Sequence, residues 1–104
     1  MITSAQIRAN RRKALEALRS GEYQQGTGVY YNSKTNCHCA MGVMGRAFDS
    51  FDRGYLSGHV AEQLGEDRRL GPNKLFTEVT AWNDHDGLTF PEIADKLAER
   101  WGLE

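Results

Sequence analysis

The sequence predicts a mostly helical α+β fold: about four helices around a central buried helix, with a small two-stranded antiparallel hairpin. Three observations support this. Apolar residues recur at helical spacing in several stretches, Gly and Asn mark the ends of most of them, and one short stretch is β-prone. The length of 104 residues suits one compact domain over residues 1–104. Glycines break residues 52–73 into short pieces, and residues 60–64 are predicted to add one or two helical turns.

The first helix is predicted to start at Thr3 or Ser4, because either hydroxyl can cap the free N–H groups of a first turn. It is predicted to end at about Ser20, since the following Gly21 is a common C-terminal signal. Arg11 falls within the apolar face of this helix. We expect its side chain either to extend out to solvent or to pair with a carboxylate.

A second stripe of the first helix is basic. Arg8, Arg12 and Arg19 line up away from the apolar face. One interpretation is an ordinary solvated helix face. The other is a partner surface that docks a phosphate backbone or an acidic protein.

The hairpin and the central helix follow. Residues 29–31 have high β propensity and residues 32–34 can turn the chain, which predicts the hairpin. Residues 37–51 are predicted to form the central helix, because their apolar side chains fill a wide arc of a helical wheel. Gly42 and Gly45 lie inside this helix and each costs about 1 kcal/mol relative to alanine. Packing must therefore compensate for them.

The two glycines share one stripe of the predicted central helix with a histidine and an aspartate. Such a stripe either lets another backbone approach closely or lines a small groove. On the second interpretation, the sequence predicts a ligand or partner groove formed by His38, Cys39, Gly42, Gly45 and Asp49.

The C-terminal part carries the clearest local signals. Residues 74–83 are predicted to form a helix that ends in an acidic turn at residues 83–87. Thr89 and Glu92 have the spacing of a capping box. A last helix is therefore predicted over Phe90–Trp101.

Composition excludes several classes of protein. The net charge of −1 does not favour nucleic acid or anionic lipid as a partner, although single-strand binding by tyrosines near the hairpin stays an alternative. No apolar stretch approaches the ~20 residues that span a bilayer. The N-terminus lacks the apolar region of a secretory signal, and two cysteines without such a signal suggest a reducing compartment. We therefore expect a cytoplasmic protein.

The cysteines and histidines suggest two kinds of chemistry. Cys37 or Cys39 could act as a nucleophile, with His59 or His85 as its base. The same side chains could bind zinc, provided that the helix begins after Cys39. The sequence contains no second closely spaced pair of ligands, so neither a metal nor a cofactor is predicted.

The acidic turn resembles part of a calcium-binding loop. With Gly87 at the sixth position of an EF-hand loop, Asp84 and Asp86 occupy the third and fifth positions. Trp82 and Ile93 then occupy the first and twelfth positions, where oxygen ligands are needed. The turn is therefore interpreted as a structural corner between two helices.

Three segments resemble a family of small uncharacterised proteins of bacteriophages and bacteria. They are LEALRSGEYQQGTG at 15–28, NCHCAMGV at 36–43 and WNDHDGLTFPEIA at 82–94. The family pattern has a Leu-x-Ser-Gly-x-Tyr-x-Gln-Gly-x-Gly opening, a Cys-Cys-Leu-Gly-Val helix and a closing Asn-Asp-x-Gly-x-Ser/Thr-Phe-x-Glu-Ile-Ala helix. His38 and Cys39 depart from it where a second Cys and a Leu are usual, and Met41 replaces an aliphatic residue.

The resemblance implies a phage-type accessory protein and gives no catalytic residues to transfer. We expect a non-enzymatic protein that binds and modulates a host or defence component, so that a host or phage protein is its partner. The alternative is a small ligand-binding protein or thiol-dependent enzyme that uses the groove near His38 and Cys39.

Overall fold

The computed structural model describes residues 2–66 and 74–103. Residues 67–73, the end of the glycine-broken stretch, lie outside the described residues. No helix in the described part is both long enough and apolar enough to cross a membrane. Most described residues are helical, and the elements run in the order α1 (Ser4–Arg19), β1 (Gln24–Gln25), β2 (Tyr31–Asn32), β3 (Cys37–His38), α2 (Ala40–Ala47), a 3₁₀ turn (Ser50–Asp52), α3 (Leu56–Gln63), α4 (Lys74–Thr80), a π-helical turn (Ala81–His85) and α5 (Phe90–Trp101).

The ends of the first and last helices are confirmed. The backbone N–H of Gln6 donates to Thr3 Oγ1 over 3.1 Å, so Thr3 is the residue that caps α1. At α5, the N–H of Thr89 donates to Glu92 Oε1 over 2.9 Å, and the N–H of Glu92 donates back to Thr89 Oγ1 over 3.4 Å. Both bonds of the predicted capping box are present. The bond from the backbone of Thr89 also lowers the pKa of the Glu92 carboxyl.

The predicted two-stranded hairpin is wrong in detail, because a third strand joins it. The sheet is mixed, in the order β1–β3–β2. β2 forms an antiparallel pair, as in the predicted hairpin, but its partner β3 consists of residues that were predicted to be helical, and β1 adds to the other side of β3 in parallel. The chain leaves β1 at Gly26, where a Cβ atom would lie 2.8 Å from the Cβ of Cys37. A glycine is therefore required where β1 passes so close to β3.

The predicted central helix over 37–51 is also corrected. Cys37 and His38 form β3, because strands bond to them on both sides, and the helix begins only at Ala40. It ends at Ala47, and two residues later Asp49 adopts a left-handed backbone with φ of 54° before the 3₁₀ turn. Helical periodicity alone therefore overestimated the length of α2 at both ends.

The central role of α2 is confirmed. It packs against α1, α3 and α4, while α5 packs mainly on α1. Its side chains Met41, Val43 and Met44 are completely buried. Burial of side chains of this size stabilises a fold by about 2 kcal/mol each, which offsets the cost of the two glycines in the helix.

Gly42 is where the loop before β2 meets this helix. A Cβ atom at Gly42 would overlap the carbonyl oxygen of Tyr30 and lie 2.8 Å from its carbonyl carbon. The same Tyr30 oxygen accepts a hydrogen bond from the N–H of Cys39 over 3.2 Å. The first interpretation of the glycine stripe, close approach of another backbone, therefore holds at this position.

Arg11 neither extends freely to solvent nor pairs with a carboxylate through its Nε. Its Nε donates to the carbonyl oxygen of Leu64 over 2.9 Å, and its guanidinium carbon lies 5.4 Å from the centre of the Trp101 ring. The neighbouring Asn10 donates to the carbonyl oxygen of Gln63 over 3.0 Å. Together they satisfy carbonyl groups that the end of α3 would otherwise leave without partners.

The capping box gives a first prediction. Thr89→Ala removes the acceptor for the N–H of Glu92 and should lower the free energy of unfolding by about 1 kcal/mol. Chemical denaturation measures this change. Thr77→Ala is the matched control, because Thr77 lies exposed within α4 and makes no cap there. Equal midpoints for both variants and the wild type would contradict the role of the cap.

The Gly42 contact gives a second prediction. Gly42→Ala places a methyl group against the Tyr30 carbonyl and should lower the free energy of unfolding by about 3 kcal/mol. In the control, Gly45→Ala, the new Cβ meets side chains rather than backbone: Leu56 Cδ1 at 3.0 Å and the Phe51 ring at 3.2 Å. These side chains need to move by only a few tenths of an ångström, and alanine is the better helix former, so the control should change stability by less than about 1 kcal/mol. Equal effects of the two variants would refute the close contact.

Candidate functional site

An apolar pocket opens between the loop that precedes β2 and the junction of α4 with the π-helical turn. Its volume is about 280 Å³. Val29 projects at its rim with 53% of its surface exposed, an unusual position for a large apolar side chain in this protein. We call this cavity the Asp84 pocket, and it is lined by Gly28, Val29, Tyr30, Cys39, Phe76, Thr80 and Asp84.

The buried carboxamide of Asn83 holds the segments around this pocket together. Its Oδ1 accepts hydrogen bonds from Gln25 Nε2 at 2.8 Å and from the N–H of Ala40 at 3.2 Å. Its Nδ2 donates to the Gly26 carbonyl oxygen at 2.9 Å and to Asp84 Oδ1 at 2.7 Å. These bonds use both donors and both lone pairs of the amide. One side chain thus joins the exit of β1, the start of α2 and the π-helical turn.

The π-helical turn presents Asn83 and Asp84 at this junction. It closes with a bond from the N–H of Asp86 to the carbonyl oxygen of Ala81 over 2.9 Å. The predicted helix over 74–83 is thus regular only to Thr80, and its last turn is wound more loosely. Such turns occur frequently at functional sites.

Asp84 brings a negative charge to the pocket. Its Oδ2 accepts from the N–H of Gly28 over 3.2 Å, and its Oδ1 accepts from Asn83. No lysine or arginine in the described part of the chain forms an ion pair with it. Among the described residues that line the pocket, Asp84 alone has a carboxyl, amino or guanidinium side chain.

Cys39 lies at the pocket as the N-cap residue of α2, yet its thiol makes no capping bond. Burial raises the pKa of this thiol, and the charge of Asp84 raises it further against the backbone N–H groups at the helix start. At neutral pH Cys39 is therefore a thiol rather than a thiolate, which makes it a poor nucleophile.

His38 belongs to a different environment, although it is next to Cys39 in the chain. Its buried ring lies between Tyr23 and Tyr31, at centroid distances of 5.0 and 4.7 Å. Its Nε2 accepts from Arg46 Nε over 3.2 Å. Burial first, and the charge of Arg46 second, lower the pKa of His38, so the ring is neutral near pH 7. Its Nδ1 finds no hydrogen-bond partner among the described residues.

The residues of the predicted groove therefore do not line one opening. Tyr30 fills the space at Gly42, and Leu56 and Phe51 fill the space at Gly45. Asp49 is exposed in the turn after α2. Of the five predicted groove residues, only Cys39 lines the Asp84 pocket.

The predicted arginine surface is partly neutralised. Arg19 forms an ion pair with Asp95 at 2.7 Å. Arg12 and Arg19 line a shallow hollow of about 440 Å³, but Glu16 lines the same hollow. Arg8 is exposed on the same helix outside it. This surface is thus mixed in charge rather than uniformly basic.

Sequence reasoning missed a pair formed by a buried serine and a half-buried histidine. Ser50 Oγ and His59 Nδ1 are 2.7 Å apart, and Ser50 is completely buried. The Nε2 of His59 lies 3.3 Å from Gln63 Nε2 instead of facing a carboxylate. A substrate cannot reach this hydroxyl, so the pair ties the 3₁₀ turn to α3. His59 accordingly bonds to a serine and not to either cysteine.

The acidic turn and the Cys–His segment assemble no ion site in the described residues. Among residues 2–66 and 74–103, no three His, Cys, Asp or Glu side chains are arranged to hold a metal ion. Both cysteines in this part of the chain are free thiols.

The fold and the site define a small, mostly helical α+β domain with a preformed apolar pocket beside a carboxylate. The chain belongs to a family of unknown function, DUF6197, whose sequence profile matches residues 3–99. No curated protein and no solved structure matches the chain.

The environment of Cys39 gives a third prediction. In a Cys37→Ser background, iodoacetamide should alkylate Cys39 more slowly at pH 7 in the folded protein than in denaturant, because the thiol is buried and its pKa is raised. Mass spectrometry follows the rate. The reciprocal Cys39→Ser variant reports Cys37, which is only half-buried. Faster alkylation of native Cys39 than of the unfolded thiol would contradict this environment.

Proposed function

We propose that this protein is a non-enzymatic binding protein, and that its partner docks at the Asp84 pocket. The observation that carries the proposal is an open apolar cavity with an exposed valine at its rim and a carboxylate without an ion pair among the described residues. Exposed apolar surface next to a pocket is typical of protein-binding sites.

Rigidity of the pocket supports the same proposal. Asn83 fixes the π-helical turn to the start of α2, and the N–H of Gly28 fixes the loop to Asp84. A pocket whose walls are already ordered loses little conformational entropy when a partner binds. Binding is therefore favoured without a rearrangement of the fold.

The biological setting is part of the proposal. We propose a phage-type accessory protein that acts in the bacterial cytoplasm and modulates a host or defence component. The resemblance of three sequence segments to small bacteriophage and bacterial proteins supports this setting, as does the near-neutral net charge of −1, which is unsuited to nucleic acid.

The alternative is a ligand-binding protein or thiol-dependent enzyme, and one observation favours it. Cys39 lines the same pocket, so a small molecule bound there would meet a thiol. The raised pKa of Cys39 weighs against nucleophilic catalysis, because the thiolate is the reactive form. In the alkylation experiment, a fast reaction of native Cys39 at pH 7 would favour the thiol-dependent enzyme, and a slow reaction would favour a non-enzymatic binding protein.

Capture from bacterial lysate tests the proposal, with the immobilised 104-residue chain as bait and native mass spectrometry as the readout. Val29→Ser removes the apolar side chain at the pocket rim without adding a charge and should reduce capture of the specific partner about tenfold. The exposure of Val29 makes a folding defect unexpected, and the melting midpoint verifies this. The double variant Arg8→Gln/Arg12→Gln tests the basic stripe of α1 and should retain the partner.

Two results would overturn the proposal. The first is that the wild type captures no protein from the lysate whose binding is weakened by the substitution of Val29. The other is a partner lost with Arg8→Gln/Arg12→Gln but kept with Val29→Ser, which would move the binding site to α1.

A further inference from the structure

We propose that the Asp84 pocket receives an arginine side chain from the partner protein. This inference rests on the proposed function and adds the chemistry of the group that is recognised. The pocket combines apolar and aromatic walls with one carboxylate, and arginine is the side chain that matches both features.

The walls suit the alkyl stem and the planar head of arginine. Tyr30 and Phe76 line the cavity and meet edge to face, with ring centroids 6.1 Å apart. A guanidinium group stacks favourably on aromatic faces, and its three methylene groups bury against apolar surface. Val29 extends the apolar surface beyond the cavity, where the backbone of a partner would pass.

Asp84 has unused capacity for a cation. Each of its oxygens accepts one bond within the protein, which leaves about half of the lone-pair positions of a carboxylate. Three carboxylates of the described chain differ from Asp84 in having arginine partners: Asp95 pairs with Arg19, and Glu66 and Glu78 both pair with Arg100. Asp84 is therefore available to a guanidinium group from outside.

Arginine fits better than lysine for a geometric reason. A guanidinium group is flat and presents several donors in one plane, so it can bond to a carboxylate while its face lies on an aromatic ring. An ammonium group is a compact, strongly hydrated charge that gains less from the aromatic walls.

Titration of the 104-residue chain with blocked tripeptides, followed by nuclear magnetic resonance, tests the inference. The probes are acetyl-Gly-Arg-Gly-amide and its counterparts with citrulline, norleucine or lysine in the middle. The arginine peptide should shift the amide signals of Gly28, Phe76 and Asp84. The neutral citrulline peptide should bind about tenfold more weakly or worse, because it keeps the shape but loses the charge.

Matched variants distinguish a direct contact with the Asp84 carboxylate from a general effect of negative charge. Asp84→Asn should weaken binding of the arginine peptide about tenfold. Asp86→Asn is the control, since it removes the same charge from the same turn but lies outside the pocket lining. Val29→Lys gives an independent variant, because a tethered cation at the rim should compete for Asp84 without altering its bonds to Gly28 and Asn83.

Bound arginine peptide should also slow alkylation of Cys39, which lines the pocket, but leave Cys37 unaffected. Equal affinity for the arginine and citrulline peptides, unchanged binding by Asp84→Asn, or no binding of the arginine peptide up to its solubility limit would each overturn the inference. Any of these results would leave the proposed function standing, provided that lysate capture still depends on Val29. Loss of that dependence would instead reject the proposed function.

Discussion

The hydrogen bonds of the buried Asn83 carboxamide are the constraint on which the candidate site depends. The amide bonds to the exit of β1, to the first N–H of α2 and to the neighbouring Asp84. Removal of the amide would leave the buried N–H of Ala40 without this acceptor, and an unsatisfied buried group costs about 1–3 kcal/mol. The pocket exists because this one side chain keeps a loop, a helix start and a π-helical turn together.

A second constraint is the contact of the Tyr30 backbone with the start of α2. The carbonyl oxygen of Tyr30 packs directly on Gly42 and accepts the N–H of Cys39. The loop that carries Val29 is thus fixed at two points. The Tyr30 carbonyl holds it against the start of α2, and the N–H of Gly28 bonds it to Asp84. A fixed loop explains how an apolar side chain stays exposed at the rim without collapsing into the cavity. The proposed binding function follows from that arrangement.

Much of the fold could be predicted because its signals are local. Thr89 and Glu92 determined the start of α5, and Thr3 determined the start of α1, through bonds within one turn. The central strand β3 could not be predicted, because Cys37 also fits the apolar arc of the following helix and His38 fits its glycine stripe. The parallel partner β1 could not be predicted either, because its two glutamines carry no β-strand signal.

The candidate site shows even more clearly which features the sequence predicts and which ones depend on the tertiary structure. The sequence by itself determined the first and last helices, the burial of α2 and the presence of an acidic turn, since periodicity and capping depend on residues close in the chain. It placed Cys39 in a groove with His38 and Asp49, yet the pocket instead joins Cys39 to Phe76 and Asp84. Only the tertiary structure decided which loop meets which helix. That choice depends on contacts between residues more than 40 positions apart, such as the bond from the N–H of Ala40 to Asn83.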